Sequence, residues 1–250
     1  MPELSQYWPY LPLFFLVAAL YASVGHGGAS GYLALFALIG YASSATAPAA
    51  LVLNVIVAGI SFSSYFRAGY FPLRVFLPFA ITSIPCAFLG GFVSPSLRLY
   101  QLLLGISLLI AAGRMLLASF LKAHAPIPGR KTNWPLLGAI GGAVGFVSGM
   151  VGIGGGIFLS PILLFSGWAD VKRTAGVSSA FIVVNSVSGL AGHALRGNIH
   201  LQQVLPLVAV VLVGGLAGSF FGSHKASEQW LLRLLGAVLL VAGLKLLSDI

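Results

Sequence analysis

Apolar residues gather in ten runs along this chain, each closed by a turn signal. The first half gives Leu11–Val24, Tyr32–Tyr41, Pro48–Phe66, Val75–Val93 and Leu97–Leu117. The second half gives Trp134–Met150, Ile157–Trp168, Gly176–Leu195, Val204–Gly222 and Trp230–Leu247. Residues 4–66 and 132–169 hold no Asp, Glu, Lys or Arg at all. Both stretches exceed the roughly 20 apolar residues that one membrane-crossing helix needs. The pattern predicts an all-α, polytopic membrane protein.

Both halves run short, short, long, long, long. Their residues also fall into register: Val24-Gly25-His26-Gly27-Gly28 lies opposite Val151-Gly152-Ile153-Gly154-Gly155. Asn54 lies opposite Asn185, Gly90 opposite Gly218, and Leu104-Gly105 opposite Leu235-Gly236. The chain therefore divides into a first repeat over 1–121, a basic linker over 122–133 and a second repeat over 134–250.

Composition agrees and sets the orientation. Apolar residues make up 58% and charged residues 7%, against about 25% charged in soluble domains. The net charge of +9 comes from basic residues scattered singly or in pairs, with no groove or stripe to neutralise phosphates, so no nucleic-acid partner is expected. Each short pair is open to two readings, a broken spanning helix or a hairpin that enters and leaves on one side. Hairpins make the halves inverted. With the linker cytoplasmic, ten basic residues then lie inside (Arg114, Lys122, Arg130, Lys131, Arg67, Arg74, Lys172, Arg173, Lys225 and Arg233). Three lie outside, namely Arg98, Arg196 and Lys245. Single crossings would give eight against five, so the positive-inside rule favours inverted repeats with both termini outside. The first basic residue is Arg67, so the first apolar run lacks a signal peptide's basic region and is expected to stay in the mature protein. The lone Cys86 has neither a disulfide partner nor metal-ligand company and reads as a small packing residue. No cofactor is expected.

Residues 141–156 contain eight glycines, too many for an unbroken helix at about 1 kcal/mol each relative to alanine. Gly141, Gly145 and Gly149 fit a small-residue packing stripe. Such stripes serve internal packing or a homodimer interface, and the sequence leaves both open. Gly27-Gly28 and Gly154-Gly155-Gly156 do not fit a stripe, because consecutive residues point to different faces. Irregular backbone at membrane depth survives only inside protein or along a wet cavity. Two such breaks in equivalent positions point to a site between the halves. Half-helices starting near Ser30 and Ile157 would aim free N–H groups into it, which favours an anion. Gly152-Ile153-Gly154 is no dinucleotide fingerprint, since the sixth position is Ile157 and a membrane run precedes it.

Asn54 and Asn185 lie inside long apolar runs, where an amide must find a partner. Each is a candidate donor to an oxyanion or a glue between helices. Ser30 and Ser178 are candidate hydroxyl donors, though such groups often bond to their own backbone. His26 is a candidate proton carrier, ahead of His193. Arg67 and Arg196 are expected to reach opposite surfaces. All carboxylates (Glu3, Asp170, Glu228, Asp249) lie in termini or loops, which disfavours cation transport and carboxylate proton relays. A membrane potential alone drives an anion out of a negative interior at about 2.3 kcal/mol per charge per 100 mV.

At this point the chain resembles the sulfite exporter TauE/SafE family of membrane permeases. The likeness spans nearly the whole chain. It is strongest at Gly152-Ile153-Gly154-Gly155-Gly156-Ile157-Phe158-Leu159-Ser160-Pro161, and extends to Arg196-Gly197-Asn198-Ile199 and Gly214-Gly215-Leu216-Ala217-Gly218. The resemblance implies export of small sulfur-containing anions, such as sulfite, thiosulfate and sulfoacetate, across the bacterial inner membrane. The first half departs from the pattern, with Ala29 and Ser30 after Gly28 and with Ala34 where the second half has Pro161, so the two hairpins need not be equivalent. The substrate site is expected at His26, Gly27, Gly28, Ala29, Ser30, Asn54, Gly154, Gly155, Gly156, Ser178 and Asn185. The partners are a small anion and the lipid bilayer. Two rivals stand beside this reading. One is an uptake permease or channel for another small anion. The other is an intramembrane serine protease, in which Ser30 would be the nucleophile and His193 its base.

Overall fold

The computed structural model describes residues 8–23, 26–41, 43, 45–118, 133–197, 201–222 and 228–250. The expected linker lies outside the described residues except for Asn133, as do Val24-Gly25, Asn198-Ile199, Lys225 and Glu3. The described residues form helices and no strands. In lipid every backbone N–H and C=O must be satisfied within the chain, and the helix does so locally.

The first half holds α1 (Leu11–Ser23), α2 (Ala29–Leu38), α3 (Ala47–Arg67), α4 (Leu73–Phe92) and α5 (Leu97–Ala118). The second holds α6 (Trp134–Val151), α7 (Gly156–Phe165), α8 (Val171–Leu195), α9 (Leu201–Gly222) and α10 (Glu228–Ser248). Helices α3, α4, α5, α6 and α8 are long and apolar enough to cross a membrane. Every predicted run corresponds to one helix. The widest discrepancy is the start of α8, expected at Gly176 and found at Val171. There Asp170 caps the helix, its carboxylate accepting from the Arg173 N–H at 2.8 Å, so Lys172 and Arg173 form a solvated first turn instead of a loop. Asn133 caps α6 in the same manner through the Leu136 N–H.

The packing partners match between halves. Helix α1 packs on α9 and α6 packs on α4, while α3 crosses α8 at the centre and α5 runs along α10. The α5–α10 pair is antiparallel, with Gly105 against Gly243 and Leu247, and Gly236 against Ala112 and Leu116. Outward faces of α4, α5, α9 and α10 carry exposed Leu, Ile and Val, such as Ile81, Ile106, Ile110, Leu205, Val213 and Val241. In water such a belt would be a liability; in a bilayer it is the solvent contact.

Close approach sets the α4–α6 crossing. Added β-carbons at Gly141, Gly145 and Gly149 would fall 2.4, 2.4 and 2.0 Å from the carbonyl oxygens of Phe79, Ser83 and Ala87. The stripe serves internal packing, as small-xxx-small patterns do. Cys86 is partly buried at this crossing, its Sγ 3.4 Å from where a Gly142 β-carbon would be.

Candidate functional site

The two glycine breaks meet at Asn54. Its Oδ1 accepts from the Ala29 N–H at 3.1 Å, at the first turn of α2. Its Nδ2 donates to the Ile153 carbonyl at 3.2 Å and to Ser186 Oγ at 3.1 Å. One fully buried carboxamide on α3 thus ties the first break, the second break and α8 together. The glycines make room for it. A β-carbon at Gly27 would lie 2.1 Å from Asn54 Oδ1, and one at Gly154 2.3 Å from Asn54 Nδ2.

The breaks differ in conformation. Gly152, Gly154 and Gly155 have φ of +91°, +78° and +81°, a region that L-residues avoid, and the chain turns there before α7. Gly28, the residue ahead of α2, has φ −91°. The second break therefore uses glycine for backbone freedom as well as space, whereas Gly27 and Gly28 of the first serve space. A side chain from another helix caps the first turn of α2, through Asn54. The N-cap of α7 is Gly155, which has no side chain of its own to cap the helix.

A second polar chain runs beside the first. His26 Nε2 lies 3.2 Å from Ser160 Oγ on α7, and Ser160 Oγ lies 2.8 Å from Ser178 Oγ on α8. Ser160 also donates to the Gly156 carbonyl at 2.8 Å. Arg114 on α5 donates from Nη1 to His26 Nε2 at 2.9 Å. A guanidinium only donates, so in this contact Nε2 carries no proton and the ring's proton sits on Nδ1.

The structure thus brings Gly27, Ala29, Asn54 and Gly154 together, and sets His26, Ser160 and Ser178 side by side. Gly156 lies against Ile182, with its β-position 2.9 Å from the Ser178 carbonyl. Gly28 lies under the Tyr32 ring, and Gly155 faces Ser148 and Phe181. Ser30 pairs with the Tyr21 hydroxyl at 2.7 Å, whereas His193 Nε2 meets the Gly149 carbonyl at 3.0 Å. Ser30 and His193 thus each have another partner. Asn185 bonds to neither break among the described residues. Its Nδ2 donates back to the Phe181 carbonyl at 2.8 Å, and its buried Oδ1 has no partner among the described residues.

Ser160, Ser186 and Arg114 were not legible as site residues. Ser160 and Ser186 look like any hydroxyl in an apolar helix, although Ser160 sits one turn beyond the glycine triplet. Arg114 looks like a flanking cation for the linker. Arg196 is tied to the neighbouring helix α4. It donates from Nη1 to the Val93 carbonyl at 2.6 Å and also meets Gly91 and Ser94, closing the C-terminal end of α4. Arg67, at the end of α3, is exposed. Among the described residues no three His, Cys, Asp or Glu side chains gather as a metal site.

A family model described as sulfite exporter TauE/SafE matches residues 10–246. A probable membrane transporter protein of Sinorhizobium fredii is 40% identical over 238 residues, covering 94% of this chain and 95% of that one. A probable membrane transporter protein of Bacillus subtilis, YjnA, is 26% identical over 253 residues, covering 92% and 96%. No solved structure matches the chain.

Proposed function

The chain belongs to the sulfite exporter TauE/SafE family, and on that premise we propose that it exports small sulfur-containing anions across the bacterial inner membrane. It is a multi-pass membrane transporter; the cargo, the direction and the route are our reading. The cargo class is sulfite, thiosulfate or an organosulfonate. The basic linker faces the cytoplasm and the bilayer potential drives the anion outward.

The observation that carries this reading is the meeting of the two breaks around Asn54, which puts the first turns of two half-helices beside one buried polar centre. Half-helix starts present N–H groups and the positive end of the dipole, the chemistry an oxyanion needs. Residues His26, Gly27, Gly28, Ala29, Ser30, Asn54, Gly154, Gly155, Gly156, Ser178 and Asn185 frame the site in this proposal. Asn54 holds the frame together, since both of its amide hydrogens are engaged within the protein. Asn185 keeps a buried acceptor, Oδ1, without a partner among the described residues.

The proposed route is alternating access between two inverted repeats, 1–121 and 134–250, and the paired packing supports it. Helix α1 on α9 mirrors α6 on α4, and the α5–α10 pair is antiparallel with matching glycine contacts. The experiment is anion flux in proteoliposomes under imposed potentials of either sign, with sulfite, thiosulfate and sulfoacetate. Flux of one of them that follows the potential and falls in Asn54→Ala and Asn185→Ala supports the reading. Flux of none of them, with protein folded in the liposomes, overturns the cargo class. Accumulation against the outward potential favours the uptake alternative.

A further inference from the structure

Arg114 lies one turn before the end of α5, partly buried, with its guanidinium turned onto the α1–α2 break through His26. Cations at helix ends in membranes usually escape to the interface or pair with a carboxylate or carbonyls. Arg114 does none of these with the described residues. The ion pair found among them joins Arg173 to Asp170 at an exposed helix start.

The other half supplies the contrast. Lys245 follows Gly236 by nine residues, as Arg114 follows Gly105, so the two cations hold equivalent places on the antiparallel α5–α10 pair. Lys245 Nζ donates to the Leu38 carbonyl at 2.8 Å and lies 3.4 Å from that of Ala37. It is thereby satisfied by the negative end of α2. Arg114 has a neutral imidazole in that role. An imidazole nitrogen takes one hydrogen bond and brings no charge, so among the described residues most of the five guanidinium donors have no hydrogen-bond partner and no carboxylate pairs with the charge.

Its surroundings are polar. His26 Nε2 lies beside the buried Ser160 and Ser178 hydroxyls, near the start of α7, whose N-cap Gly155 has no side chain of its own to cap the helix. We propose that Arg114 is the charge-selecting residue of the anion site, where a bound oxyanion becomes its counter-ion. Two oxygens on one sulfur centre match the guanidinium fork. Dianions gain more than monoanions. This deepens the anion-transport reading and rests on it.

The test is the thermal shift of the purified full-length protein titrated with thiosulfate, a dianion, and methanesulfonate, a monoanion. Arg114→Gln weakens thiosulfate binding by about tenfold to a hundredfold, the loss of a charge-assisted contact, and weakens methanesulfonate binding less. Arg114→Lys keeps the charge and loses the fork, so thiosulfate binding falls by about tenfold or less and the dianion preference survives. Lys245→Gln, at the matching place outside the site, leaves both affinities unchanged. Wild-type affinity for thiosulfate in Arg114→Gln overturns the proposal. If that variant does not fold, loss of the dianion preference in Arg114→Lys overturns it. A wild-type protein that binds neither anion overturns the anion reading itself, so the two failures are separate.

Discussion

A single carboxamide carries much of the arrangement at the centre of this protein. Asn54 satisfies the Ala29 N–H, the Ile153 carbonyl and Ser186 Oγ at once, and its removal leaves buried polar groups without partners. Asn54→Ala is expected to lower stability by about 1–3 kcal/mol, read as a drop in the thermal midpoint of the purified protein. Gly154→Ala strikes the same contact from the other side. Its β-carbon would lie 2.3 Å from Asn54 Nδ2 at a φ of +78°, so it should cost at least as much and reduce flux in parallel. Equal stability of wild type and Gly154→Ala would show that the breaks are not held by this contact. In the sequence both asparagines stood out as amides in apolar runs, and nothing separated them. Their roles diverge because a partner 99 residues away, Ile153, is available to Asn54, whereas Asn185 bonds back to its own helix. Distant pairing of this kind leaves no local trace.

At the scale of helices, glycine has two opposite meanings, and the structure separates them. Gly145 on α6 faces the Ser83 backbone, its β-position 2.4 Å from that carbonyl, whereas Gly113 on α5 has nothing within 4 Å of its own. Gly145→Ala must push α6 from α4 and should lower the thermal midpoint. Gly113→Ala meets no obstacle and should raise stability by up to about 1 kcal/mol through helix propensity. A series of thermal melts across these variants checks the sign of each. The elements themselves were legible, because membrane helices must be long, apolar and punctuated, and the runs recorded that directly. The start of α8 was not, because Lys172 and Arg173 look like loop residues until the Asp170 cap is seen. Arg114 was read as a marker of membrane orientation. A charge count assigns a side to a residue and says nothing about where its side chain turns.

For the whole molecule, the informative feature is the inequality between matching halves. The packing pairs correspond, yet Asn54 locks the first break while Asn185, its counterpart, has a buried Oδ1 with no partner among the described residues. Inverted repeats that exchange conformations would account for this, with each half adopting in turn the arrangement of the other. In register, Ile153 corresponds to His26 and Ala29 to Gly156, so the exchanged arrangement would have Asn185 accept from the Gly156 N–H and donate to the His26 carbonyl. Removing one asparagine should then favour the arrangement that uses the other. Single cysteines report this in a Cys86→Ala background, at Ala37→Cys near the end of α2 and Leu164→Cys near the matching end of α7. Asn54→Ala and Asn185→Ala should alter the maleimide labelling of each cysteine in opposite senses. The same sense of change in both would mean that the asparagines only stabilise one rigid structure. Opposite senses tie the polar centre to the motion, because only a two-way exchange lets equivalent residues compete for the two ends of one equilibrium.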